Sequence, residues 1–230
     1  MQYKIHGEGP ALVLVPGGLT GWLSWDAFIP EFNTNKIIQV QLLNVQYGLE
    51  NKLLPDSYSV KLESHALAAS LIEAGINEPA DFIGWSYGGL ILLDFALNNP
   101  ALIKTLTLIE PPAFWILNAH GVHNENAEKV TTTLSRFEND ISENDLEVFL
   151  TSVGFAKPGT SIKDHPNWKN WLPFRYSLRQ NKVVPQHTDD IEKLQNFKPA
   201  VLLVKGTGSA SFFHAAIDIM DKDFPRAIVI

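Results

Sequence analysis

The sequence predicts an α/β fold, a mostly parallel sheet flanked by helices with a helical insertion, and three observations carry that prediction. Short apolar runs bounded by turn residues recur at 11–15, 106–109 (with Thr107 inside), 201–204 and 227–230. Runs without polar alternation suit strands covered on both faces, as in a parallel sheet. Stretches of helical length and periodicity lie between these runs, and strand alternating with helix implies right-handed crossovers. Finally, Gly84-Trp85-Ser86-Tyr87-Gly88 stands at the junction of one such strand and one such helix.

Taken in order, residues 36–40 (Lys-Ile-Ile-Gln-Val) and 80–84 (Ala-Asp-Phe-Ile-Gly) add two further strands. The stretch 59–74 places Val60, Leu62, Leu67, Leu71 and Ile72 largely on one side and ends at Gly75, a natural helix terminator. A second helix is predicted over 89–98, through Leu90, Ile91, Leu93, Phe95 and Leu97, stopping at Asn98-Asn99-Pro100. From 111 to 185 the rhythm changes to Asn, His, Trp, Pro and acidic residues, with amphipathic helices expected at 130–137 and 146–153. A structureless loop of that length is unusual inside a compact domain. The expected division is therefore a core of 1–110 and 186–230 with a helical cap insertion at 111–185.

Composition narrows the function classes. Hydrophobic residues are 45% and charged residues 19% of the 230, the balance of a globular protein. The net charge is -7, from 18 Lys plus Arg against 25 Asp plus Glu, and no basic run occurs. Neither nucleic acid nor an anionic membrane surface is an expected partner. The absence of cysteine excludes disulfides, thiolate metal ligands and a cysteine nucleophile, and fits a cytoplasmic location. The N-terminus has no apolar stretch of the signal-peptide kind. There is no Walker A sequence, no His-Glu-x-x-His and no ligand spacing among the histidines and carboxylates, so no metal and no cofactor is expected. Gly206-Thr207-Gly208 follows a strand, but Ser211 takes the place of the third glycine of a dinucleotide fingerprint.

The Gly-x-Ser-x-Gly stretch is the most informative. A turn tight enough to lift a serine hydroxyl above a sheet edge leaves no room for a Cβ on its flanking positions. The start of the following helix then offers the Tyr87 backbone N–H to a developing oxyanion. With this elbow the chain resembles the α/β-hydrolase superfamily over nearly all its length. The resemblance makes Ser86 the nucleophile and places Pro16-Gly17-Gly18-Leu19 where the family carries its oxyanion loop, commonly His-Gly-x, with Pro16 in place of the histidine. It implies an oxyanion hole made by the N–H groups of Gly18 and Tyr87. It also implies a small-molecule carbonyl substrate (ester, thioester, lactone or carbon–carbon bond) cleaved through an acyl-enzyme. Phe114, Trp115, Trp168, Trp171 and Phe174 suggest an apolar pocket beneath the insertion.

Two family features are displaced. The acid expected after the 201–204 strand is replaced by Ser209 in Gly206-Thr207-Gly208-Ser209, and Glu110, after the 106–109 strand, is the best substitute. The histidine expected after the last strand has no counterpart, because the sequence stops at Ile230. His214 lies nearest a strand end, and His120 or His123 could face Ser86 from the insertion. Two readings stay open: a chain truncated at Ile230 whose base lies beyond it, or a non-catalytic, ligand-binding relative.

Overall fold

The computed structural model describes residues 1–137, 140–156 and 159–230. Seven strands form the sheet: β1 (Gln2–His6), β2 (Ala11–Val15), β3 (Lys36–Gln41), β4 (Ala80–Trp85), β5 (Ile103–Ile109), β6 (Ala200–Val204) and β7 (Ala227–Val229). Their spatial order is β1-β3-β2-β4-β5-β6-β7. β1 pairs antiparallel with β3, and every other neighbouring pair is parallel. The fold class and all the strands read from the sequence are thus present.

Each crossover is helical. α1 (Leu43–Leu49) and α2 (Val60–Glu73) separate β3 from β4, α3 (Tyr87–Asn98) separates β4 from β5, and α9 (Ser211–Asp223) separates β6 from β7. The Ser59 hydroxyl caps α2 by accepting from Leu62 N–H at 3.1 Å. Gly75, at φ +72°, ends it, and Ile76 N–H turns back to Leu71 O at 2.9 Å. α3 is buried at every position from Tyr87 to Leu97. A helix that is apolar on every side save for one buried carboxylate, Asp94, belongs in the interior. Leu90, Ile91, Leu92 and Phe95 are fully buried, each contributing about 1.5–3 kcal/mol of transfer free energy. This anchors the N-terminus of α3 over the centre of the sheet.

Between β5 and β6 lie α4 (Phe114–Ala119), α5 (Glu125–Leu134), α6 (Glu143–Ser152), α7 (Trp168–Trp171), a 3₁₀ run (Leu172–Lys182) and α8 (Ile191–Gln195). Two expected helices need their bounds corrected here. The predicted 130–137 and 146–153 segments are α5 and α6, which start earlier because capping side chains, not apolar periodicity, decide where a helix begins. Asn124 accepts from Ala127 N–H at 2.9 Å, while Ser142 and Asp145 form a reciprocal capping box. α3 likewise begins at Tyr87, two residues before the predicted start, and α1 is an addition. No helix among the described residues is long and apolar enough to cross a membrane.

β4 is the central strand, and the chain leaves β2 for β3 on one side before crossing to β4 on the other. A crevice opens at such a reversal, beyond the carboxyl ends of the strands. The loops after β2, β4, β5 and β6 converge there.

Candidate active site

Ser86 sits between β4 and α3 with φ 51° and ψ -124°, a combination that costs a non-glycine residue about 1–3 kcal/mol. Its surroundings enforce it. Ser86 N–H donates to Ile109 O at 2.8 Å, locking the turn to the end of β5. A Cβ on Gly84 would lie 2.8 Å from Leu92 Cδ2 and 2.9 Å from Gly89 Cα, and one on Gly88 only 2.1 Å from Pro16 O. The glycines of the motif thus allow strand, helix and the loop after β2 to close on one another. The Ser86 hydroxyl makes no hydrogen bond to any described residue.

Ser86 opens on a cavity of about 800 Å³, shared with Gly17, Gly18, Tyr87 and Glu110. Phe114, Trp171 and Phe174 line it, as their apolar character predicts, together with Phe149, Phe155 and Phe212. Trp115 and Trp168 do not. Both are buried in packing, and Trp115 stands edge-on to the His187 ring. Of the charged side chains only Glu110 and Lys169 line the cavity among the described residues.

Gly18 is pressed against the start of α3. A Cβ there would meet the Gln180 carboxamide at 2.6 Å and Tyr87 Cβ at 3.1 Å. Its carbonyl accepts from Asn44 Nδ2 at 2.6 Å. The backbone N–H groups of the first helical residues have no intrahelical partner, so the Tyr87 N–H beside Gly18 is free to serve a ligand.

Glu110 follows β5 with φ 48°, another positive value on a residue that is not glycine. Its N–H donates to Val204 O at 3.1 Å and its Oε1 accepts from Gly206 N–H at 2.7 Å. The carboxylate is thereby carried to the β5–β6 corner, where the 206–209 turn offers no acid of its own.

A sequence model described as the alpha/beta hydrolase fold matches residues 10–230. The chain belongs to the α/β-hydrolase fold family. The 2-hydroxymuconate semialdehyde hydrolase of Pseudomonas sp. (strain CF600) is 29% identical over 107 residues, covering 46% of this chain and 34% of that protein. The pimeloyl-[acyl-carrier protein] methyl ester esterase of Vibrio campbellii (strain ATCC BAA-1116) is 32% identical over 120 residues, or 50% and 42% of the two chains. These matches thus span less than half the length of the curated relatives. The esterase RhEst1 from Rhodococcus sp. ECU1013 superposes with a TM-score of 0.72 at 20% identity, covering 99% of this chain and 84% of that one. At that identity the likeness is one of fold.

The elbow, the β2 loop and Glu110 of this α/β-hydrolase fold meet at one cavity, whereas none of the seven histidines lines it. His214 Nε2 bonds Gly206 O at 2.8 Å, on the other side of the residue that holds Glu110. His120 pairs with Asp223 Oδ2 and His123 with Glu128 Oε1, each at 2.7 Å, so neither insertion histidine turns toward Ser86. His165 stacks on Trp171 with ring centroids 4.6 Å apart, and His6 bonds Gln39 at 3.1 Å. His65 is exposed on α2. His187 is buried with Asp94 Oδ1 3.7 Å away, and burial holds its pKa below the usual histidine value despite that carboxylate.

The sequence reading missed Asn44, Tyr58, Glu63 and Gln180. All four are buried polar side chains or buried hydroxyls around the elbow. Burial pushes the Tyr58 and Tyr87 hydroxyls well above the usual tyrosine pKa, with the nearby Glu63 charge adding to it. The signal that could have flagged Glu63 is its helical spacing from apolar Val60 and Leu67, with which it shares the buried side of α2. No grouping of three His, Cys, Asp or Glu able to hold a metal ion occurs among the described residues.

Proposed function

We propose that the chain is a serine hydrolase that cleaves a small, largely apolar carbonyl compound through an acyl-enzyme. The observation that carries this reading is Ser86, held at φ 51° on an 800 Å³ cavity with a hydroxyl that bonds no described residue. In the reaction Ser86 Oγ attacks the carbonyl carbon while the Gly18 and Tyr87 N–H groups receive the oxyanion. The leaving alcohol or thiol departs with a proton, and water then releases the acid from Ser86. Each oxyanion donor is worth about 100- to 1,000-fold in rate. In this reading Glu110 is the acid of the site, whose part is to orient a base and to stabilise its charged form. The helices between β5 and β6 serve as the cap, and their aromatic side chains select an apolar acyl or alcohol group. The hydrolase and the methyl ester esterase among the relatives agree with acyl transfer as the reaction class.

A second reading, ligand binding without turnover, is favoured by the lack of a histidine on the cavity. A fluorophosphonate probe separates the two. Catalysis predicts one covalent adduct on the wild-type chain, located at Ser86 by peptide mass and lost in Ser86→Ala. A wild-type chain that stays unlabelled while binding medium-chain acyl ligands establishes the second reading instead.

A further inference from the structure

The geometry points to Glu63 as a positioning residue that sets both oxyanion donors of the site at once; this rests on the serine-hydrolase reading. Glu63 is fully buried and does not line the cavity. Three donors converge on it. Leu43 N–H reaches Oε2 at 3.0 Å, while Asn44 N–H and the Tyr58 hydroxyl reach Oε1 at 2.9 and 2.7 Å. Leu43 and Asn44 open α1, whose own N-cap residue, Leu42, provides no side-chain cap. Glu63 therefore caps α1 from another helix, its charge facing the positive end of the α1 dipole.

From Glu63 two arms lead to the site. Along the first, the capped Asn44 donates its amide hydrogens to Gly18 O at 2.6 Å and to Ser177 O at 2.9 Å. That fixes the residue whose N–H is one oxyanion donor. Along the second, the Tyr58 hydroxyl stands 3.0 Å from the Tyr87 hydroxyl. Tyr58 has one proton and gives it to Glu63, so Tyr87 must donate to Tyr58, and the polarity of the chain is set by the carboxylate. This arm holds the side chain of the residue whose N–H is the other donor. Both arms end on residues already in contact at the Gly18–Tyr87 face.

Among the described residues all three hydrogen-bond partners of the Glu63 carboxylate are donors, which makes the site intolerant of an amide. Glutamine must turn an NH₂ toward at least one of the three N–H or O–H groups. The shape is kept, yet the NH₂ faces either Leu43 N–H, which weakens the cap on α1, or the Asn44 N–H and Tyr58 hydroxyl together, which takes the anchor from both arms.

The test uses fluorophosphonate labelling of Glu63→Gln, Tyr58→Phe and Asn44→Ala, with steady-state kinetics on a p-nitrophenyl ester. Misplacing a reacting group by 1 Å costs on the order of 100-fold, so Glu63→Gln is expected to slow labelling and lower kcat by about 10- to 100-fold. KM should stay within about threefold, because ground-state contacts in the apolar cavity are untouched. Tyr58→Phe removes one hydroxyl without changing shape and cuts one arm only, so its loss should be smaller and of the same kind. It stands in should Glu63→Gln not fold. If the wild type labels and the variants label and turn over at its rate, the positioning role is wrong while the hydrolase reading survives. A wild type that never labels overturns both.

Discussion

Gly88→Ala puts the elbow under direct load. The added methyl carbon would stand 2.1 Å from Pro16 O and 2.8 Å from both Pro16 C and Val15 O, all backbone atoms that cannot rotate away. An acceptable carbon–oxygen contact needs about 3.2 Å, so the first turn of α3 and the loop after β2 must separate by about 1 Å. Overpacking of this kind costs about 1–3 kcal/mol, partly offset by the gain of up to about 1 kcal/mol when alanine replaces glycine in a helix. The net loss of up to about 2 kcal/mol lowers Tm by about 4–8 °C in a chain of this size. The functional cost is far larger, because the loop that moves carries Gly18 and the helix that moves carries Tyr87. A 1 Å separation of the two proposed oxyanion donors should reduce the labelling rate at Ser86 by on the order of 100-fold. Gly208→Ala is the control: a Cβ there meets nothing within 4 Å, and both readouts should match the wild type. The assay is the pseudo-first-order rate of fluorophosphonate labelling beside a thermal melt. Gly88→Ala labelling within threefold of the wild-type rate would refute the claim that this contact aligns the two donors.

Two other expectations concern histidine. His187 faces Asp94 and Asp189 with Lys61 and Lys193 beyond them, and burial keeps its folded pKa below the unfolded value of about 6.5. Below that pH the unfolded chain binds the extra proton, so stability is lost as the medium is acidified, with a slope of at most about 1.4 kcal/mol per pH unit from this group. Urea midpoints between pH 7.5 and 5.5 should fall less in His187→Gln than in the wild type; parallel curves would mean that the ring titrates equally in both states. Because no histidine lines the cavity, added imidazole should act there as a diffusible base. General-base help is worth about 100- to 10,000-fold at full effect, so ester turnover should rise with imidazole well beyond that of Ser86→Ala; equal slopes for the two proteins would show that the base acts only in solution.

How far the sequence foretells this molecule depends on the range of the interaction. Strands such as Ala11–Val15 and the helix ending at Gly75 are local, written in consecutive residues, and they stand where the sequence puts them. The Gly84–Gly88 stretch is equally local, since its steric demand falls on immediate neighbours. Helix starts at α5 and α6 were also written locally, in Asn124 and in Ser142 with Asp145, but apolar period alone does not register a cap. Glu110 was legible as a strand-end acid; its grip on Gly206, 96 residues away, was not. The same holds for Asn44, which holds Gly18 and also Ser177, 133 residues from itself. Buried polar networks of this kind have no period and no spacing rule. Only the folded chain reveals them.

The two backbone outliers of the cavity, Ser86 at φ 51° and Glu110 at φ 48°, have a bearing on what selection can do with this chain. Glycine would relax both corners. A lineage rewarded only for enduring heat would therefore drift toward Gly at 86 and 110 and grow hardier as it went silent. In this chain a hydroxyl and a carboxylate stand at two strained corners of the crevice that glycine would occupy with less cost.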